Sequence, residues 1–97
     1  MLQLHDYWRS SASYRVRIAL EWKRIPFTRV PVHLLRDGGQ QHAASYRALN
    51  PQALVPTLVD GDTVIPQSLA ILEYLEETHP EPPLLPRDAT GRARVRA

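Results

Sequence analysis

Apolar and polar side chains alternate through Leu2-Gln3-Leu4-His5, the pattern of a half-buried strand that ends at Tyr7-Trp8. The period then changes. From the Ser10-Ser11 turn to about Arg24, Val16, Leu20 and Lys23 fall on one helical stripe and Ile18, Ala19 and Trp22 on the next. This predicts a helix with a wide apolar face suited to packing on a sheet. Ile25-Pro26 stops it, because a residue before proline is pushed out of the helical region. Alternation resumes with Phe27, Val30 and Val32, and Pro31 marks an edge or irregular strand. Strand, helix and strand in this spacing form a βαβ unit, with parallel strands and a right-handed crossover.

Asp37-Gly38-Gly39-Gln40-Gln41 reads as a loop, and residues 43–49 as a short helix cut by Asn50-Pro51. Thr57-Leu58-Val59 and Thr63-Val64-Ile65 flank Asp60-Gly61, which predicts a hairpin. Ser68 is the expected N-cap of a helix over 69–77 that buries Ile71, Leu72 and Leu75. Ile71 stands where a full capping box needs Glu or Gln. The order βαβ-α-ββ-α predicts an α/β, thioredoxin-like domain with a mixed four-stranded sheet. Residues 79–86 read as a proline-rich linker, and 88–97 as the first turns of another element. The domain is therefore placed at 1–82, and 83–97 are assigned to the linker and the start of a second domain.

The 97 residues suffice for one core and not for two. No apolar run approaches a membrane span, and His5, Asp6 and Arg9 interrupt any leader-like segment, so a cytoplasmic protein without membrane contact is expected. The excess of positive charge is local. Four arginines against one aspartate put residues 87–97 at +3, so the first 86 carry −1 of the total +2. That distribution, with no nucleic-acid motif, argues against a nucleic-acid partner. Zero cysteines exclude disulfides and any protein thiol chemistry. The four histidines are scattered without ligand spacing, so no metal site is expected.

Three segments carry candidate chemistry. The run Arg9-Ser10-Ser11-Ala12-Ser13-Tyr14-Arg15 takes a strand into a hydroxyl-rich helix start, where free N–H groups and the positive end of the helix dipole suit an anion. Val55-Pro56 precedes a strand; a cis bond there would leave the Val55 backbone free for a peptide ligand, and a trans proline would simply open the strand. Gln67-Ser68 offers a carboxamide, a hydroxyl and free amides suited to a carboxylate, or else a plain helix cap.

Taken together with Asn50-Pro51-Gln52, Thr57-Leu58 and Leu69-Ala70-Ile71, these segments resemble the zeta class of the glutathione transferases across essentially the whole chain. That class includes maleylacetoacetate and maleylpyruvate isomerases. The resemblance implies reduced glutathione as cofactor and a maleyl-type dicarboxylate as substrate, in aromatic amino acid catabolism. It also implies a full-length homodimer with an all-helical second domain. By match, Ser10, Ser11, Ala12, Ser13, Tyr14 and Arg15 would line the thiol side, with Ser10, Ser11 and Arg15 catalytic. Gln41 would meet the glycyl end, Val55 would pair with the cysteinyl backbone beside cis Pro56, and Gln67 and Ser68 would hold the γ-glutamyl carboxylate. Arg9 and Arg15 are candidates for the substrate carboxylates. The zeta pattern often has cysteine where Ala12 stands, which sets this chain apart from it.

The implied chemistry is addition of the glutathione thiolate to a cis double bond, rotation and departure. Lowering a thiol pKa by about 1.5 units takes roughly 2 kcal/mol, within reach of one charge-assisted hydrogen bond and a helix dipole. The rival readings are a generic glutathione transferase or dehalogenase, and a non-catalytic binding module on the same fold.

Overall fold

The sheet that organises the chain has the order β2-β1-β3-β4. In the computed structural model, which describes residues 2–97 and leaves out the side chain of Asp37, the elements are β1 (Leu2–Asp6), α1 (Ser11–Trp22), β2 (Phe27–Pro31), α2 (Ala44–Leu49), β3 (Thr57–Asp60), β4 (Thr63–Pro66), α3 (Ser68–Thr78) and α4 (Ala89–Arg96). Single 3-10 turns at Arg36–Gly38 and Gln40–His42 occupy the glycine-containing loop. β1 pairs parallel with β2 and antiparallel with β3, and β3 pairs antiparallel with β4. β2 is thus an edge strand, where Pro31 removes no central ladder bond.

This topology orients the helices. β4 runs in the direction of β1, and α1 and α3 follow those two strands onto one face of the sheet. They therefore lie side by side and parallel. Leu4, Val16, Leu20, Leu58, Ile71 and Leu75, all fully buried, form the core between the sheet and this helix pair. His5 alternates with Leu4 onto the opposite face and meets the ring of Tyr46 from α2. Asp6 closes β1 fully buried, held by Arg17 of α1 at 2.6 Å and Arg29 of β2 at 3.2 Å.

Three local expectations are corrected. α1 buries Ser13, Val16, Ala19 and Leu20, whereas Ile18 and Trp22 are exposed. The sheet and α3 cover only one side of the helix, so of the second stripe only Ala19 packs against them. The hairpin turns on Gly61-Asp62, one residue later than the Asp60-Gly61 signal, with Asp60 pairing with Thr63 and Gly61 at φ +59°. Ser68 is the first residue of α3; the capping position belongs to Gln67, at φ +74°.

Candidate functional site

α1 opens on a turn in which the Ser10 N–H donates to Tyr7 O at 3.0 Å. The extended backbone of Ser10 lets its Oγ accept from Ser13 N at 3.1 Å, and its carbonyl accepts from Tyr14 N at 2.9 Å. The N–H groups of Ser11 and Ala12 remain without an intrahelical partner. Because Ser10 Oγ accepts from within the helix, its own proton is free to be donated outward.

A cleft of about 190 Å³ lies at this end of the helix pair, lined by Ala12, Leu54, Val55, Pro56, Gln67 and Ser68. It joins α1, the segment before β3 and the start of α3. The Val55–Pro56 bond is cis, and Val55 enters neither ladder of β3. Its loop is fixed from below: Tyr46 donates its hydroxyl to Leu54 O at 2.5 Å and lies 2.8 Å from Thr57 Oγ1. Asn50 Nδ2 donates to Leu54 O at 3.1 Å and to Thr57 Oγ1 at 3.0 Å, while Asn50 Oδ1 accepts from Gln52 N at 3.0 Å. Burial outweighs the hydrogen bonds to Thr57 and Asn50 and raises the Tyr46 phenol above its ordinary range, which keeps it protonated as a donor. Sequence reading gave Tyr46 and Thr57 no part in bracing this loop. The available signal was polar residues interrupting apolar segments, each of which must be hydrogen-bonded if buried.

No side chain caps α3, so its first N–H groups stay open toward the cleft. Arg15 reaches across from α1 and donates to Ser68 Oγ at 3.1 Å, leaving the Ser68 proton to donate elsewhere. Gln67 donates to Gln52 Oε1 at 2.8 Å from an exposed position.

Ser10, Ser11, Ala12, Arg15, Val55, Pro56, Gln67 and Ser68 therefore cluster around one end of the helix pair. Other candidates sit apart. Ser13 is fully buried with its Oγ unpartnered, so its side chain faces the core instead of the cleft. Tyr14 lies on the outer face of α1, in a separate groove with Ile18, Trp22 and Phe27. Gln41 is in the Gln40–His42 turn, does not line the cleft, and buries its Oε1 without a partner. The Arg9 guanidinium stacks 4.6 Å from the exposed Trp8 ring, beside the Ser10 turn. A wider groove of about 650 Å³ opens under α2, lined in part by His5, Val30, Val32 and Tyr46, away from both helix starts. Burial holds His5 there below the ordinary histidine range despite the nearby Asp6 charge. Among the described residues, no group of three or more His, Asp or Glu is placed to hold a metal ion. Among them, too, no helix is long and apolar enough to cross a membrane.

Residues 4–83 match the glutathione S-transferase N-terminal domain. The chain belongs to that family. A probable maleylacetoacetate isomerase of Vibrio cholerae is 52% identical over 96 residues, covering 99% of this chain and 45% of that protein. A bacterial zeta-class maleylpyruvate isomerase, solved in its holo form, superposes with a TM-score of 0.90 at 49% identity, over 97% of this chain and 43% of the other. The maleylacetoacetate isomerase of Methylobacterium extorquens AM1, solved with malonate and glutathione, gives a TM-score of 0.90 and 49% identity, over 97% of this chain and 44% of the other. This glutathione S-transferase domain thus spans less than half the length of these relatives. Its mixed four-stranded sheet with α1, α2 and α3 is the thioredoxin-like arrangement expected from the element order.

Proposed function

We propose that this domain binds reduced glutathione across the starts of α1 and α3, as the cofactor-binding part of a cis-trans isomerase of a maleyl-type dicarboxylate. The observation that carries the reading is the single cleft where Ala12, Val55, Pro56, Gln67 and Ser68 meet. Its donor set fits the tripeptide. Unpaired N–H groups and two hydroxyl protons suit a thiolate at one helix start and a carboxylate at the other. The Val55 backbone between them suits an extended peptide. The isomerase names of relatives near 50% identity support the substrate class.

When bound, glutathione supplies the sulfur nucleophile that turns a double bond temporarily single. The chain's own groups hold and tune it. Ser10 Oγ–H, with the Ser11 and Ala12 amides, stabilises negative charge at the sulfur position; Ser68 and the open α3 amides hold the amino-acid carboxylate. Arg15 orients Ser68 and adds positive charge between the two helix starts. Arg9, beside the Ser10 turn, is the residue assigned to a substrate carboxylate. Ser13, Tyr14 and Gln41 sit outside the cleft and carry no role in this assignment.

Backbone amide shifts on titration with reduced glutathione test the binding. Saturable shifts at Ser10 to Ala12, Val55, Gln67 and Ser68 are expected; their absence at millimolar ligand removes the reading. For the full-length protein, turnover of maleylacetoacetate or maleylpyruvate is expected, and silence there with conjugation of chloro-aromatics would replace isomerase by generic transferase. The same reading carries a domain boundary near residue 82, supported by a family match that stops at 83, and a cytoplasmic homodimer, which sizing and fractionation of the full-length protein test.

A further inference from the structure

At the opposite end of the helix pair, Lys23 and Glu76 form an ion pair 2.9 Å apart, with 0% and 5% of their side chains exposed. Neither lies near the cleft. Lys23 Nζ also donates to the carbonyls of His79 at 2.6 Å and Pro82 at 2.9 Å, which uses all three of its donors. Glu76 accepts from Leu84 N at 3.0 Å and Leu85 N at 2.9 Å. Four of the groups that satisfy this pair are therefore backbone atoms of residues 79–85, a segment in no helix or strand.

That segment has few other ways to be held. Pro80, Pro82 and Pro83 have no N–H, and two of the remaining three N–H groups in 80–85 go to Glu76. Beyond it, α4 touches α3 through the Arg96–Glu73 pair, whose side chains are 50% and 38% exposed. An ion pair that open to water fixes little. Leu84 alone in the segment packs on the core.

We propose that the Lys23–Glu76 pair is a latch: it gives residues 79–85 their path over the ends of α1 and α3 and so sets where α4 lies, independently of what the cleft binds. The buried charges take the place of secondary structure for a backbone that proline has stripped of donors.

Amide hydrogen exchange on the 97-residue chain tests this, comparing Leu84 and Leu85 with Leu4 and Leu58 in the sheet. In Glu76→Gln, protection at Leu84 and Leu85 should fall about tenfold or more, with Leu4 and Leu58 following only the global stability. Lys23→Met/Glu76→Met is the second variant, because replacing both partners of a buried pair with apolar side chains leaves no orphaned charge. It should fold with a protected sheet and unprotected Leu84 and Leu85. Retained protection at those two amides in the folded double variant would overturn the latch and give the role to Leu84 packing. Loss of Leu84, Leu85, Leu4 and Leu58 protection in step, or failure of the double variant to fold, would overturn it too, because the pair would then hold the core.

Discussion

Ser10 has two separable duties in this structure, and substitutions can pull them apart. Its Oγ accepts from Ser13 N, which caps α1, and its proton is free for a thiolate. Ser10→Ala removes both. Loss of the cap costs about 1 kcal/mol, or a fall of about 4–8 °C in Tm for a domain of this size. Loss of a hydrogen bond to a charged acceptor costs about 1.5–3 kcal/mol, so the pKa of bound glutathione should rise by about 1–2 units and most of the thiolate at neutral pH should vanish. Ser10→Asp keeps an equally good cap, and its charge is favourable at a helix start. It has no proton to give near neutral pH and repels a thiolate. Chemical denaturation should therefore find Ser10→Asp as stable as the parent and Ser10→Ala less stable, while ultraviolet thiolate absorbance of bound glutathione is lost in both. Ser10→Thr should retain stability and absorbance. A Ser10→Asp variant that still binds glutathione as thiolate would refute Ser10 as the donor and leave the role to the Ser11 and Ala12 amides.

Other expectations follow from the same geometry. Gln67 holds φ +74°, a conformation costly for a side-chain-bearing residue, so Gln67→Gly should leave stability unchanged or raised while weakening glutathione binding; a loss of more than about 1 kcal/mol in denaturation would contradict this. Leu58→Ala, at a fully buried position beneath the helix pair, should cost about 2–5 kcal/mol in the same assay. Acid should act in two stages. Burial lowers His5 below 6.5, so the unfolded chain binds its proton first and stability declines as pH falls below about 6.5. Glu76 loses from burial but gains more from Lys23 and the Leu84 and Leu85 amides, so its folded pKa is below 4.5; its contribution is complete above that value and is lost as pH falls beneath it. Stability against pH for the parent and Glu76→Gln should differ in slope only below about pH 4.5, and a shared slope there would refute the assignment.

The sequence pattern predicted the parts of this fold that local chemistry dictates. Alternation located β1 and β2, prolines ended α1 and α2, and the Asp-Gly pair located the hairpin. The errors fall where a tertiary neighbour decides. Ile18 and Trp22 repeat at helical spacing as regularly as Val16 and Leu20, and periodicity alone cannot say which stripe meets the sheet. Lys23 falls on the stripe of Val16 and Leu20 because it is buried, but its partner Glu76 lies on a helix more than fifty residues later. Ser68 has the residue type of a cap, yet Gln67 at positive φ takes that position and frees the hydroxyl for Arg15. The family resemblance grouped the two serine segments with Val55-Pro56; it takes the folded chain to turn Ser13 inward, to stand Tyr14 and Gln41 elsewhere, and to bring Tyr46 and Asn50 under the cleft loop as braces.

The parallel course of α1 and α3 explains why the candidate site and the latch lie at opposite ends. Two parallel helices place their positive dipole ends together and their negative ends together, so the two fields add at both ends. At the first end Arg15 bridges to Ser68, Ser10 caps only part of α1, and nothing caps α3, which leaves a region suited to anionic ligands. At the other end Lys23 meets the final turns of both helices, where a cation is stabilised. The orientation comes from the strands, because β1 and β4 run the same way and each feeds a helix onto one face. A sheet without the β3–β4 reversal would turn α3 around and put a negative end beside Ser10. The hairpin at Gly61-Asp62, far from any ligand-facing group, is thus what gives the cleft its sign.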